Sequence, residues 1–175
     1  MKIKKITSYL LFSKEHLISF FINVLPSHYI SDRFLRAAVA RFFGAKIGKG
    51  CDIKKTIRIT NYHNIVIGDH TKIAEDTYLD SLGRITIGNN VTLGTHILFI
   101  TGTHERGPHK HRCGPTYSQP ISIEDGCWIA AGVLIGPGVT IGAGSIVSAG
   151  SVVLHSMPPD RLIAGNPARA IQVFE

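Results

Sequence analysis

Aliphatic residues, and once a phenylalanine, recur every six positions along most of this chain. The positions are Ile47, Ile53, Ile59, Ile67, Ile73, Leu79, Ile87, Leu93, Phe99, Ile123, Ile129, Ile135, Ile141, Val147 and Val153. A glycine often follows this residue, and a small or β-branched residue often stands four positions after it. Neither the period of an amphipathic helix nor that of a half-buried strand produces this pattern. A fixed short period is instead typical of a solenoid.

Each repeat fits one short strand followed by one tight turn. Three repeats make a triangular coil of about eighteen residues, with the aliphatic side chain inside the prism and the small residue beside it. Glycine is expected where the backbone turns and a Cβ would clash. The spacing widens to eight residues between Ile59 and Ile67 and between Leu79 and Ile87, which predicts two extra residues at a corner. We therefore expect a mainly β solenoid of about five coils over residues 45–175.

The period fails between Phe99 and Ile121. The intervening stretch, residues 101–119, is polar and contains two Gly-Pro pairs. It predicts a loop that leaves the third coil and returns to it. Long loops on rigid scaffolds are commonly functional, so this stretch is the first place to look for chemistry.

Residues 1–44 lack the repeat and predict an amphipathic helical segment. A first helix is expected over residues 3–25, ended by Pro26, and its apolar stretch is too short to span a bilayer. A second is expected over about residues 32–43, with Ser31 as N-cap and Gly44 as stop. One face of the second helix collects its apolar side chains, which are Phe34, Leu35, Ala38, Val39, Phe42 and Phe43.

The positive charge of the chain is concentrated before the solenoid. Residues 1–50 hold nine Lys and Arg against two acids, whereas the rest of the chain is balanced. No basic face interleaved with aromatic residues follows, so we expect no nucleic-acid binding. The segment can cap the first coil, cap it and also contact an anionic membrane surface peripherally, or dock a partner. The expected location is the cytoplasm, with the inner face of the membrane as the peripheral alternative.

The three cysteines form no paired framework, which favours a reducing compartment. Cys51 and Cys127 fall on the small-residue position of their repeats and are expected in the core, whereas Cys113 lies in the polar loop.

The loop gathers His104, His109, His111 and Cys113. In one hypothesis His104, at the root of the loop, is a general base that the rigid coil positions. In the other, the cluster binds a transition metal, since His and Cys are common zinc ligands. His109 and His111 alternate with Lys110 and Arg112, which is typical of solvated loop residues.

Longer motifs support a family resemblance. They are Ile87-Gly88-Asn89-Asn90-Val91, Thr101-Gly102-Thr103-His104, Cys127-Trp128-Ile129, Pro137-Gly138-Val139-Thr140-Ile141-Gly142 and Gly165-Asn166-Pro167-Ala168-Arg169. Through these, residues 85–172 resemble the galactoside/maltose acetyltransferase branch of the hexapeptide-repeat acyltransferases. Two further motifs are Arg41-Phe42-Phe43-Gly44-Ala45-Lys46-Ile47-Gly48-Lys49 and Leu82-Gly83-Arg84-Ile85-Thr86-Ile87-Gly88. Through these, residues 41–100 are more similar to the colanic-acid-type polysaccharide acetyltransferases. The resemblance implies a left-handed parallel β-helix.

The resemblance also implies a site. His104 falls on the position of the catalytic base, which would activate a sugar hydroxyl for direct attack on acetyl-CoA, with no metal expected. The pantetheine arm would run near Ala131 and Ala149, with Leu154 and His155 following on the exit strand. Arg169 would lie near the adenosine phosphate, and Trp128 would line the groove or pack between subunits. A homotrimer is expected, because one prism face offers only one wall of a groove.

The chain departs from the galactoside branch at several positions. Pro115 stands near the position of a Glu, and Ala74 and Ser81-Leu82 occupy the stretches that carry an acceptor-binding Asn and Asp there. Gln172 replaces a second phosphate-pairing Arg. They favour the polysaccharide-precursor branch over a free galactoside. The leading prediction is therefore O-acetylation of a sugar in a surface-polysaccharide precursor.

Three other functions stay open from the sequence. The first is N-acetylation of a nucleotide-linked amino sugar, for which an amine acceptor needs less help from a base. The second is a γ-carbonic-anhydrase-like metal enzyme, and the third is a purely structural or binding module.

Overall fold

In a computed structural model, which describes residues 20, 23–26 and 28–175, the repeats form the three faces of a triangular prism. Face A holds β1 (Lys46–Ile47), β4 (Ile65–Ile67), β7 (Ile85–Ile87), β12 (Ile121–Ile123) and β15 (Thr140–Ile141). Face B holds β2 (Asp52–Ile53), β5 (Lys72–Ile73), β8 (Thr92–Leu93), β13 (Trp128–Ile129), β16 (Ile146–Val147), β18 (Arg161–Gly165) and β19 (Ala168–Val173). Face C holds β3 (Arg58–Ile59), β6 (Tyr78–Asp80), β9 (Leu98–Ile100), β14 (Leu134–Ile135) and β17 (Val152–Val153).

Successive coils stack in parallel register, with Ile65 opposite Ile85 and Ile85 opposite Ile121 on face A. Five coils are complete. A partial sixth follows, in which Met157 bridges to Ile141 and β18 joins face B before β19 returns antiparallel to it. The predicted left-handed parallel β-helix is confirmed.

The interior is filled as the repeat predicts. From Ile53 onward the periodic aliphatic residues are buried, and the small residues beside them, such as Thr71 and Ser145, are buried too. Cys51 and Cys127 occupy two of these small-residue positions and are buried, as expected. Burial raises the pKa of both thiols, so they favour the unreactive protonated form and serve as packing residues.

Glycine serves two different purposes in the coils. A Cβ on Gly142, which directly follows the aliphatic residue, would lie 2.6 Å from the carbonyl carbon of Pro158 in the next coil. The left-handed turn is made two residues later, where Gly144 has φ +68° and Gly126 φ +72°, and where Asn90 fills the same role at φ 55°. The glycine after the aliphatic residue is thus required by close contact between coils, not by the turn.

Two corners of the prism matter for function. Corner BC, between faces B and C, is formed by residues 94–97, 130–133 and 148–151 in the third to fifth coils. Corner CA, between faces C and A, includes residues 136–139 and 154–156. The extra residues of the first two coils lie at corner CA, as a 3-10 turn (Tyr62–Asn64) and as residues 81–84, which confirms the predicted insertion.

The stretch expected as a loop is a β-hairpin. It leaves corner CA after the third coil as β10 (Gly102–Arg106) and returns as β11 (Cys113–Ser118), with a register shift between His104 and Arg106. Polar composition concealed the strands, because both strands of the hairpin project away from the prism and bury little.

Before the first coil, residues 29–42 are helical, with a π-helical part (Ser31–Leu35) that continues into α1 (Arg36–Phe42). The helix passes through Ser31, which makes no side-chain cap, so the expected N-cap is wrong; Gly44 ends the segment at φ +104°. Ala37, Ala40 and Arg36 face the first coil, whereas Phe34 and Phe42 of the predicted apolar face point outward. The first predicted helix, residues 3–25, lies almost entirely outside the described residues, within which no helix is long and apolar enough to cross a membrane.

Candidate active site

His104 lies on the outer hairpin, opposite Thr116 of the partner strand. Its Nδ1 is 2.9 Å from the backbone oxygen of Gly114 and 3.4 Å from Oγ1 of Thr116. A carbonyl oxygen only accepts hydrogen bonds, so this contact selects the tautomer in which Nδ1 carries the proton. Nε2 then keeps its lone pair, and the exposed imidazole presents it as a proton acceptor.

Gly114 makes this arrangement sterically feasible. A Cβ at position 114 would lie 2.7 Å from the backbone oxygen of Glu105, so a larger residue would push the two strands apart. The carbonyl that orients His104 therefore depends on a glycine in the facing strand. Sequence reasoning found His104 but not its partner, because a backbone oxygen is present at every residue and leaves no sequence signal.

The root of the hairpin is tied to corner CA. Oγ1 of Thr101 donates to the backbone oxygen of Asp80 at 2.6 Å and accepts from the N–H of Gly83 at 2.9 Å. The carboxylate of Asp80 accepts from the N–H of Gly102 at 3.1 Å. His104 thus lies two residues after Gly102, the last residue of the anchored root. A general base needs such a fixed position.

The other loop residues do not gather around His104. His109, His111 and Cys113 are exposed toward the tip of the hairpin. Within the part of the chain that the structure describes, no three His, Cys, Asp or Glu side chains are close enough to hold a metal ion.

Four of the predicted coenzyme residues lie on or beside corner BC. Ala131 and Ala149 stack there in successive coils, linked by the N–H of Gly150 donating to the oxygen of Ala131 at 2.9 Å. Trp128 stands on the neighbouring face B, 51% exposed. Arg169 faces Ala164 at the turn of the β18–β19 hairpin, and its Nη1 donates to the oxygen of the adjacent Ala168 at 2.8 Å.

Corner BC changes character along the prism. The second coil carries Glu75 and Asp76 there, and the third carries Thr95 and His96, whereas the fourth and fifth carry Ala-Gly pairs. A Cβ added to Gly150 would meet no atom within 4 Å, which shows how open the surface is at that point. The last two coils therefore offer a smooth strip beside which a flexible chain can lie.

Leu154 and His155 lie elsewhere. Both are exposed at corner CA, the corner from which the hairpin bearing His104 also emerges. The predicted site residues thus fall into two groups within one chain, and face C separates them. In the second to fourth coils the outward residues of that face include Tyr78, Leu98 and Leu134, which are apolar and partly exposed, whereas the first coil presents Arg58.

Comparisons with known proteins agree with this architecture. Residues 120–155 match the family model of bacterial transferase hexapeptide (six repeats). Over 137 residues the chain is 38% identical to the colanic acid biosynthesis acetyltransferase WcaF of Escherichia coli (strain K12), covering 78% of this chain and 74% of that protein.

Two solved structures are similar over nearly the whole chain. A hexapeptide-repeat acetyltransferase of Vibrio cholerae O1 biovar eltor, complexed with acetyl-CoA, is 34% identical with a TM-score of 0.71, over 95% of this chain and 88% of that one. A maltose O-acetyltransferase of Clostridium difficile 630 is 30% identical with a TM-score of 0.81, over 95% and 89%. The chain belongs to the hexapeptide-repeat acetyltransferase family, and the protein is an acyltransferase.

Proposed function

We propose that the protein transfers the acetyl group of acetyl-CoA to a sugar hydroxyl of a surface-polysaccharide precursor, with His104 as general base. The observation that carries the proposal is the contact between His104 Nδ1 and the Gly114 oxygen, which leaves Nε2 as a proton acceptor on an anchored hairpin. A sugar hydroxyl needs such a base, since it is a poor nucleophile until its proton is removed.

The transfer needs no covalent enzyme intermediate. The hydroxyl oxygen attacks the thioester carbonyl while Nε2 takes its proton, and a new C–O bond forms. When the tetrahedral intermediate collapses, the C–S bond breaks and the imidazolium returns the proton to the sulfur. The products are an acetyl ester and CoA, and His104 is neutral again. The Gly114 carbonyl stabilises the imidazolium in between by accepting from Nδ1.

Corner BC is the proposed path of the coenzyme. The pantetheine arm would lie along Ala131 and Ala149, where small side chains leave room for it, beside the ring of Trp128. Arg169 would pair with a phosphate of the adenosine end, for which a guanidinium is well suited. Acetyl-CoA in the solved complex of the Vibrio cholerae relative supports this reading.

The division of site residues between two corners supports a homotrimer. His104, Leu154 and His155 lie at corner CA, and the coenzyme strip lies at corner BC, with the apolar face C between them. A threefold assembly that covers face C would set corner CA of one subunit against corner BC of the next. Each of three identical sites would then combine the base of one subunit with the coenzyme strip of its neighbour.

Similarity to WcaF supports a polysaccharide precursor as the acceptor. The departures at Leu82 and Pro115 from the galactoside branch support it too, since a free galactoside would lose polar contacts there. Acetyl-CoA and such precursors meet in the cytoplasm, which is the proposed location of the reaction.

Labelled acetyl-CoA tests the proposal. The protein is incubated with fractionated glycolipid and nucleotide-sugar pools, and the labelled products are identified by mass spectrometry. We expect an ester, which hydroxylamine cleaves; a resistant amide would show N-acetylation instead.

Variants of the hairpin histidines test the role of His104 in the same assay. His104→Ala should lower kcat by about 10²–10⁴ with little change in the Kd of acetyl-CoA, the usual effect of losing a positioned base. His109→Ala is the matched control and should be mild. Equal losses in the two variants would contradict the assignment.

A further inference from the structure

The helical segment before the first coil is turned with its larger apolar side chains outward. Tyr29, Ile30, Phe34 and Phe42 are 64%, 54%, 58% and 83% exposed. They form one patch with the half-exposed Leu35, here called the end patch, at the first-coil end of the prism. Exposed apolar groups of this size on one helix usually mark an interaction site.

Buried charged contacts on the side that faces the first coil fix the orientation of this helix. The guanidinium of Arg36 is fully buried, forms an ion pair with Asp32 and donates to the backbone oxygens of Leu25 and Pro26. Asp32 also pairs with Lys54 of the first coil at 3.0 Å. Because this buried pairing holds the inner face of the helix on the coil, the end patch cannot turn inward without breaking it.

One cation contacts the end patch, and three more lie close to it in the chain. The guanidinium of Arg33 lies 5.1 Å from the ring centre of Tyr29, and Arg41, Lys46 and Lys49 are exposed close by in the chain. The one acid of residues 28–50, Asp32, is buried and paired. An apolar surface with a positive rim is complementary to a bilayer of anionic lipid, whose head groups attract the rim while the apolar groups enter the interface.

We propose that the end patch docks the protein on an anionic membrane, so that the prism stands end-on with its first coil toward the lipid. The proposed threefold assembly strengthens this docking. Rotation about an axis parallel to the prism leaves every subunit pointing the same way, so that all three end patches lie in one plane. Three coplanar patches bind a surface far more tightly than one.

The end-on position sets the height of the reaction above the membrane. Adjacent coils are about 4.8 Å apart and a helix is about 10 Å across, which puts the third coil, where the hairpin of His104 emerges, about 20 Å from the lipid surface. This step rests on the proposed function. At that height the acceptor is a saccharide carried on a lipid by a spacer of several units, not a sugar attached directly to the bilayer.

Vesicle flotation tests the docking with the full-length protein. We expect it to float with vesicles of mixed anionic and zwitterionic lipid. It should remain unbound in the dense fraction when the vesicles are purely zwitterionic or the salt concentration is high. Phe34→Ser combined with Phe42→Ser should lower the bound fraction at least about tenfold, because two apolar groups no longer enter the interface. Arg33→Glu should lower it on anionic vesicles as well.

The matched control is Val173→Ser, which removes an apolar side chain of similar exposure, 61%, on β19. It should float like the unchanged protein. Thermal melting and acetyl transfer to a water-soluble acceptor should stay unchanged in the Phe34/Phe42 variant, so failure to float would not be confused with misfolding or with failure of the proposed function.

Other occupants of the end patch give different results. If the unchanged protein ignores anionic vesicles, or the Phe34/Phe42 variant floats as well as the control, the docking proposal is wrong. If the protein forms assemblies larger than a trimer that the same variant dissolves, the patch is an interface between copies and the proposal is equally wrong.

Discussion

A single backbone oxygen decides what His104 can do. The sequence identifies this histidine through its place after Thr101-Gly102-Thr103, but it offers no carboxylate partner, since Pro115 stands near the expected Glu. In the structure the Gly114 carbonyl takes that role at 2.9 Å. Side-chain identities can be predicted from a motif, whereas a carbonyl that orients a ring depends on strand register and becomes visible only in three dimensions.

Gly114→Ala tests this orientation. The added Cβ would crowd the Glu105 oxygen and displace the Gly114 carbonyl from the imidazole. Losing one oriented hydrogen bond corresponds to about 0.5–1.5 kcal/mol, so we expect kcat to fall roughly two- to thirteenfold with an unchanged Kd for acetyl-CoA. Thr116→Val is the control and should change kcat little, because the Thr116 hydroxyl is 3.4 Å from the ring. Equal effects of the two variants on kcat would contradict the role of the Gly114 carbonyl in orienting His104.

At the scale of elements, the coils follow the six-residue repeat closely because each aliphatic side chain has only the interior of the prism to fill. Corner insertions at residues 60–64 and 81–84 are visible in the sequence as a widened spacing. The strands of the hairpin and the direction in which the N-terminal helix faces cannot be predicted from the sequence. Polar strands outside the core carry no burial pattern, and Arg36 is buried by pairing with Asp32, which hydrophobic periodicity cannot detect.

The two uses of glycine predict opposite responses to substitution. At Gly142 a side chain would collide with the backbone of the next coil. Gly142→Ala should therefore destabilise the fold by about 1–3 kcal/mol, and the larger Gly142→Asn should destabilise it more. At Gly126 the constraint is the left-handed backbone conformation, with φ +72°. Gly126→Asn should therefore destabilise the fold less than Gly126→Ala, because Asn90 already adopts this conformation at the same corner. Denaturant unfolding of the four variants is the measurement. The same order of Ala and Asn at both sites would contradict the distinction.

Arg169 lies at the turn of the last hairpin, with no ion pair among the described residues. Arg169→Ala should weaken CoA about tenfold or more, through loss of a charge-assisted phosphate contact of roughly 1.5–3 kcal/mol, and weaken dephospho-CoA less. Arg161→Ala, at the other end of the same strand pair, is the control. Calorimetric titration with both ligands checks this, and equal losses would place Arg169 away from the phosphate.

At the scale of the whole molecule, one chain is an incomplete enzyme in this account. The proposed proton acceptor, His104, is at corner CA and the proposed coenzyme strip is at corner BC, on opposite edges of face C. The repeat predicts each corner from the sequence, but the separation of the two groups follows only from tracing which residues share a corner. The proposed membrane docking and the proposed trimer axis would give the three subunits a common direction, with docking at the first-coil end and the reaction further along the prism.

Subunit complementation tests the divided site most directly. His104→Ala removes the base at corner CA, and Ala149→Tyr blocks the strip at corner BC; each variant alone should be nearly inactive on the glycolipid fraction that accepts acetyl groups. After the two are unfolded and refolded together in equal amounts, about a quarter of the sites should combine an intact His104 with an intact neighbouring strip. The account predicts recovery to about a quarter of the unchanged protein's activity. Activity no higher than that of the two variants refolded separately would contradict it.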